Sequence, residues 1–187
     1  MIIMVNGAFG VGKTTVAEAL LKNVDNSMIY DPEIIGFMLR NIIPEDVQLQ
    51  EAKAGDFQDL KLWTELTVET AARLITRYNR NLIVPMTIRN PDYFQYIFSG
   101  LNKWDETIHA FCLTASKETI ATRLFNRGEV EGAWCFHQTD SCIDAFERYP
   151  LGESISTENV SINAIIEEIT QRIRSKEQSK DFDRHLS

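Results

Sequence analysis

The sequence predicts an α/β fold, a five-stranded parallel sheet covered by helices on both faces and carrying a short lid. Two observations predict it. Short apolar runs alternate with stretches of helical periodicity along the whole chain, the pattern of a parallel sheet whose strands are buried on both sides. The first apolar run also ends in a Gly-rich turn that leads straight into a helix.

Ile2 to Val5 reads as the buried first strand, and the segment from Lys13 to Asn23 places Val16, Ala19 and Leu20 at helical spacing. Ser27 to Tyr30 is a short second strand. Asp31 and Pro32 then start a helix, Asp31 as N-cap and Pro32 at the first position. That helix carries Ile35, Met38, Leu39 and Ile42 on one side and stops before Pro44. Residues Glu45 to Asp59 are polar, acidic and weakly periodic, which predicts a loop or a short helix. Trp63, Leu66, Ala71, Leu74, Ile75 and Tyr78 mark a longer helix. Leu82 to Met86 is the third strand, Asn90-Pro91 starts a helix through Leu101, and Ile108 to Leu113 is the fourth strand. Ser116 to Thr119 opens a helix running to about Arg127, and another spans about His137 to Phe146. Ser154 to Ser156 is a weak fifth strand. Ser161 caps a final helix bearing Ile162, Ile165, Ile166, Ile169 and Ile173, after which a charged tail is expected to fray. No repeat, linker or low-complexity segment interrupts the chain. One domain over 1–174, with a lid at about 128–136 and a tail at 175–187, is the expected organisation.

The 187 residues suffice for one core without staples. A net charge of −8 disfavours nucleic acid as a partner. The cysteines, Cys112, Cys135 and Cys142, are odd in number and lack a framework spacing, which predicts reduced thiols and a cytoplasmic location. The apolar start is too short for a signal segment and lacks basic residues before it, and no stretch has transmembrane length. Oligomeric state has no signature.

Gly7-Ala8-Phe9-Gly10-Val11-Gly12-Lys13-Thr14 fits G-x-x-x-x-G-K-[ST] without a mismatch. The chemistry needs each fixed position. Glycines let successive backbone N–H groups turn toward one centre, and the helix behind them adds its positive end. Lys13 reaches the β- and γ-phosphates, and the Thr14 hydroxyl is a ligand for Mg²⁺, with Thr15 beside it. ATP is the expected nucleotide. An Asn-Lys-x-Asp string at Asn102 to Asp105 resembles a guanine-reading motif, but it precedes a strand rather than following one and is read as a solvated helix end.

Ligands of open α/β sheets sit beyond the carboxyl ends of the strands. Strand two delivers Asp31 and Glu33 there, and strand three delivers Met86, Thr87 and Arg89. Asp31 has three readings: base for an acceptor hydroxyl, outer partner of Mg²⁺, or helix cap. Glu33 reads first as a partner of the helix dipole and second as a catalytic group. Arg40, further along the same helix, meets either an acceptor or a surface carboxylate. Tyr30, Phe37, Trp63 and Tyr93 read as core, with some lining an apolar pocket. Arg123 and Arg127 lie i, i+4 beside Gly128 and suit adenine stacking and phosphate contact, with surface pairing to Glu118 or Glu129 as the rival. Arg148 is a third possible clamp. Gly128 to Gly132, with Ala133 and Trp134, reads as the lid, although Glu129 and Glu131 make it acidic. Cys135-x-His137 followed by Cys142 fits no standard zinc spacing.

Together these residues carry a resemblance. Val5 to Gly10, Tyr30 to Glu33 with Gly36-Phe37 and Leu39-Arg40, and Leu82 to Ile88 are similar to the tunicamycin-resistance ATP-binding proteins. Pro91 with Tyr93-Phe94, and Ala115 to Thr119 with Arg123-Leu124 and Arg127, extend the likeness over about residues 1–170. This family is a branch of the P-loop group that also holds small-molecule and nucleoside-monophosphate kinases. The resemblance implies a P-loop NTPase with an adenylate-kinase-like three-layer α/β/α core, ATP with Mg²⁺, and a role in tolerance to an amphiphilic, nucleoside-containing antibiotic. Pro85-Met86-Thr87 departs from the wider kinase pattern, where an Asp orders Mg²⁺, and the lid lacks clamping arginines. Two functions therefore stay open: phosphotransfer to a hydroxyl of a small, partly apolar compound, and ATP-gated binding of a drug without transfer. In the first, Asp31 is the base and Lys13, Arg123 and Arg127 stabilise charge, while Glu33, Phe37, Arg40, Thr87 and Arg89 meet the acceptor.

Overall fold

Strand β1 (Ile2–Gly7) is buried along its whole length and sits at the centre of the sheet. The computed structural model describes residues 1–130, 134–149 and 151–186, and within them all side chains except those at 134, 135, 137 and 180–186. β2 (Ser27–Ile29), β3 (Asn81–Pro85), β4 (Ile108–Thr114) and β5 (Glu153–Ser156) complete a parallel sheet of order β2-β3-β1-β4-β5. Between the strands run α1 (Lys13–Asn23), α2 (Glu33–Ile42), α3 (Glu45–Glu51), α4 (Lys61–Tyr78), α5 (Pro91–Asn102), α6 (Lys117–Asn126) and α7 (Trp134–Arg148), and α8 (Ile162–Leu186) closes the chain.

Alternation along β1 produces the layers. Ile2 and Met4 face one side with Leu39, Trp63 and Ile97, from α2, α4 and α5. Ile3 and Val5 face the other with Leu20, Ile120 and Ile169, from α1, α6 and α8. The predicted three-layer α/β/α arrangement is the one observed. Since parallel strands all deliver their carboxyl ends to one edge, the turns after β1, β2 and β3 meet there.

Several element boundaries differ from expectation for identifiable reasons. The 45–59 segment resolves into α3 and a short 3-10 turn at Phe57–Asp59, which Asp56 opens by accepting the Gln58 N–H at 3.0 Å. Helix α7 begins earlier than expected, at Trp134. The expected fraying after Arg174 is not what the structure shows. α8 continues to Leu186, through a stretch free of Gly and Pro and rich in good helix formers. Helix α2 buries Ile35, Gly36 and Leu39, but Met38 and Ile42 point to solvent with Ile34, so its inward face is narrower than the sequence suggested. No helix of the described residues is long and apolar enough to cross a membrane.

The Asn102–Asp105 string has a structural task. Asp105 accepts from the Met1 ammonium and from the Thr107 N–H, the latter at 2.9 Å, at the amino end of β1 and away from the Gly-rich turn. Asn6 holds the opposite end. Fully buried, its side chain accepts from the N–H groups of Gly7 and Ile88, both at 2.9 Å, and donates to the Ile88 carbonyl at 3.0 Å. One amide thereby splices the segment after β3 onto β1 and fixes the backbone on both sides of Ile88, directly after Thr87.

Candidate nucleotide and acceptor site

The Gly7–Thr14 loop follows β1 and ends where α1 begins. Gly12, just before α1, has φ 111°, a left-handed conformation that a side chain would strain even though open space surrounds it. Helix α1 has no side-chain cap and no acid in its first turn, so its leading N–H groups and positive end are left for an anion. Thr14 and Thr15 are exposed beside it. Lys13 folds back over the loop: its ammonium donates to the Ala8 carbonyl at 2.9 Å and lies 5.4 Å from the centroid of the Phe9 ring. Burial there lowers its pKa to about 8, against the pull of Glu33, which raises it.

Two cavities flank this loop. The smaller, of about 180 Å³, lies alongside α1 and is lined by Val11, Gly12, Thr15, Arg127, Val160 and Ile162 among others. Arg123 borders it too, but its guanidinium is committed. It donates to the Val11 carbonyl at 3.0 Å and to the Thr157 hydroxyl and carbonyl at 2.8 and 2.7 Å. Arg123 therefore braces the loop against the end of β5; the suggested pairing with Glu118 or Glu129 is not what holds it. Arg127 is exposed at the slot, unlike its neighbour one turn earlier.

The larger cavity, of about 560 Å³, opens beside the loop at Phe9. It gathers Glu33, Phe37 and Arg40 from α2 with Thr87 and Arg89 from the segment after β3, the set placed on the acceptor side by sequence. Asp31 does not line it. Its carboxylate accepts the Glu33 N–H at 2.9 Å, with Pro32 already helical at φ −66° and ψ −14°, so capping is the role the geometry displays. Glu33 instead faces the cavity, and burial together with the Asp31 and Asp56 carboxylates raises its pKa above the ordinary value, opposed by Lys13. Thr87 is 3% exposed, and its hydroxyl has no hydrogen-bond partner among the described residues. A buried, unsatisfied hydroxyl at a cavity wall is a ready contact for a ligand.

The rest of the wall comes from residues that sequence reasoning left in a featureless loop. Asp56 pairs with Arg89 at 3.2 Å, and Gln58 donates to the Thr87 carbonyl at 2.7 Å. Phe57 stacks under the Arg40 guanidinium, 5.1 Å from it, while Arg40 also donates to the Gly55 carbonyl. Gln138 of α7 closes the far side. The only available signal was the cluster of Gly55, Asp56 and Gln58 between two helical stretches. Of the aromatic set, Tyr30 and Trp63 are core, Phe37 lines the cavity, and Tyr93 donates to Asp59 at 2.9 Å just beyond it. Of the predicted lid at about 128–136, residues 131–133 lie outside the described residues, as do the side chains at 134, 135 and 137.

Gly36 makes this wall possible. A Cβ there would stand 2.2 Å from the Phe57 ring. Gly36→Ala is therefore expected to push Phe57 off α2, lower stability by about 1–3 kcal/mol, and leave the ATP-induced rise in thermal midpoint unchanged. An unaltered apo midpoint in a thermal scan contradicts this seating.

Comparison with known proteins agrees with the architecture. A family described as an AAA domain matches residues 2–148. No curated protein matches the chain by sequence. Among solved structures, the Deinococcus radiodurans tunicamycin resistance protein is 25% identical, with a TM-score of 0.72, over 92% of this chain and 94% of that one. A gluconokinase from Sinorhizobium meliloti shares the fold at 17% identity and a TM-score of 0.64, covering 97% of this chain and 95% of its own. The Acinetobacter baumannii shikimate kinase, solved with shikimate, does so at 16% and 0.60, over 94% and 93% of the two chains.

Proposed function

The chain belongs to the AAA domain family and has its P-loop kinase-like fold, and on that premise we propose that it is an ATP-dependent phosphotransferase acting on a hydroxyl of a small molecule. One observation carries this reading. The 560 Å³ cavity meets the phosphate loop directly, sharing Phe9 with it and presenting Glu33 within electrostatic reach of Lys13. A pocket adjoining a phosphate cradle is what transfer to a second substrate requires.

In this reading the loop N–H groups and Lys13 hold the β- and γ-phosphates, and the slot beside Arg127 takes adenine between its guanidinium and apolar Val160 and Ile162. Glu33 accepts the proton of the attacking hydroxyl. Its raised pKa suits that task, because a base closer to neutrality transfers protons more effectively. Asp31 holds Glu33 in place through the cap. The exposed Thr14 hydroxyl at the start of α1 fits a Mg²⁺ ligand, with Asp31, after β2, as an outer carboxylate. Mg²⁺ supplies neutralisation of phosphate charge. The sequence likeness and the 25% identity to the Deinococcus radiodurans protein support an acceptor that is a tunicamycin-type antibiotic.

Incubation with Mg·ATP and a panel of hydroxyl-bearing compounds, tunicamycin included, followed by mass spectrometry, tests the proposal. The expected result is a gain of one phosphoryl group that Lys13→Ala abolishes. Tight binding without any mass gain supports the second reading, a drug-sequestering protein, which the Pro85-Met86-Thr87 end of β3 favours because it lacks an acid to order the metal.

Lys13 sets a pH limit. Its ammonium must be charged to bind phosphate, and in the nucleotide-free protein it loses its proton near pH 8. Bound phosphate raises that pKa, so ATP affinity is highest below pH 8 and falls by up to about tenfold per pH unit above it. kcat/KM for ATP, which reports the free enzyme, should show the same alkaline limb. A flat profile from pH 7 to 9.5 contradicts it.

A further inference from the structure

Behind the Arg89–Asp56 pair lies a second cavity of about 430 Å³. It shares Ala54, Asp56, Gln58 and Arg89 with the first, so the ion pair is a partition between adjoining chambers rather than the end of the site. Helix α7 lines both. Gln138 borders the first and Ser141 the second, three residues apart and therefore on one face. Cys142, next along that face and fully buried, belongs to the same core cluster as Ala8 and Val11 of the phosphate loop, so the same helix also reaches the loop.

The chambers differ in chemistry. The first has Phe9, Phe37 and Phe57 in its walls, with Glu33 and the Thr87 hydroxyl, which has no partner among the described residues, and suits a ring with an apolar face and one reactive hydroxyl. The second has a single aromatic residue, Tyr93, and sets Asp59, Asn90, Ser141 and the Tyr93 hydroxyl beside the apolar surface of Ala54 and Pro91. Carboxylates, an amide and hydroxyls interspersed with one aromatic ring match a hydroxyl-rich group that both donates and accepts hydrogen bonds. We propose that the acceptor site is bipartite and takes a glycoside: its ring bearing the accepting hydroxyl lies in the first chamber and its sugar passes the Arg89–Asp56 pair into the second.

This rests on the first chamber being the acceptor site. The test is calorimetric titration of the whole protein, saturated with Mg²⁺ and a non-hydrolysable ATP analogue, with arbutin (4-hydroxyphenyl β-D-glucoside), phenol and glucose. Arbutin should bind at least tenfold more tightly than either part, since a linked pair gains effective concentration. Ser141→Trp fills the second chamber from an exposed position and should reduce arbutin to the affinity of phenol while leaving phenol unchanged. Tyr93→Phe, which keeps the ring, should weaken arbutin alone. Equal affinity for the three probes, no binding of arbutin, or indifference to Ser141→Trp overturns the proposal. Failure of the kinase reading has a different signature: absence of phosphoryl transfer across the acceptor panel, whichever way arbutin binds.

Discussion

If Glu33 is the proposed base, Glu33→Gln is expected to lower phosphoryl transfer by about 10²–10⁴-fold, the usual worth of a general base, while ATP affinity and thermal midpoint stay near wild type. The amide keeps the side chain's size and its place at the cavity wall but cannot take a proton. Asp31→Asn separates the two carboxylates. Its amide oxygen still caps α2, because Asn serves there about as well as Asp, so turnover changes little if Asp31 only caps. If Asp31 also serves the metal, the Asn variant loses affinity for Mg·ATP and keeps it for metal-free ATP. Transfer by Glu33→Gln within twofold of wild type, with Asp31→Asn strongly impaired, returns the base to Asp31. The wild-type acid limb gives an independent check. Since the proposed base must be deprotonated to act and the Glu33 pKa is raised, activity should climb with pH above the ordinary carboxylate range.

Asn6→Ala has the largest expected effect on stability. It strands the buried N–H groups of Gly7 and Ile88 and the Ile88 carbonyl. At roughly 1–3 kcal/mol for a buried group left unsatisfied, with partial relaxation, the loss should be about 3–5 kcal/mol. For a domain of this size that corresponds to a fall of roughly 6–20 °C in midpoint. Asn6→Asp keeps an acceptor for both N–H groups but turns a carboxylate toward the Ile88 carbonyl, so it should fall between the two. A midpoint within 2 °C of wild type for the Ala variant would show that water replaces the amide.

What was legible in the sequence was contiguous. The phosphate loop, the strand before it and the helix after it are one unbroken string, and the caps at Asp31, Asn90 and Ser116 act within three residues of themselves. What was missed joins distant segments. Asn6 acts across 82 positions, Asp56 meets Arg89 across 33, and Thr157 reaches Val11 across 146. Their types are ordinary for loops, and only the fold gives them partners. Helix α2 shows the same limit. Its periodicity revealed an apolar side but could not say that Gly36, not a larger residue, must face Phe57. Glu33 and Asp31 were both visible as acids after β2. Which of them faces the pocket depended on which became the cap.

The sheet order has an evolutionary consequence. The phosphate loop springs from β1, which has a strand on either side and helices above and below. Much of the acceptor wall hangs instead on the consecutive residues Ala54 to Gln58, between α3 and α4 and outside the sheet. Inheritance can thus treat the two halves of the site separately. On the proposed reading, a change of one or two residues in that short connection is expected to alter which compound is accepted while leaving the nucleotide half, anchored in the innermost strand, intact.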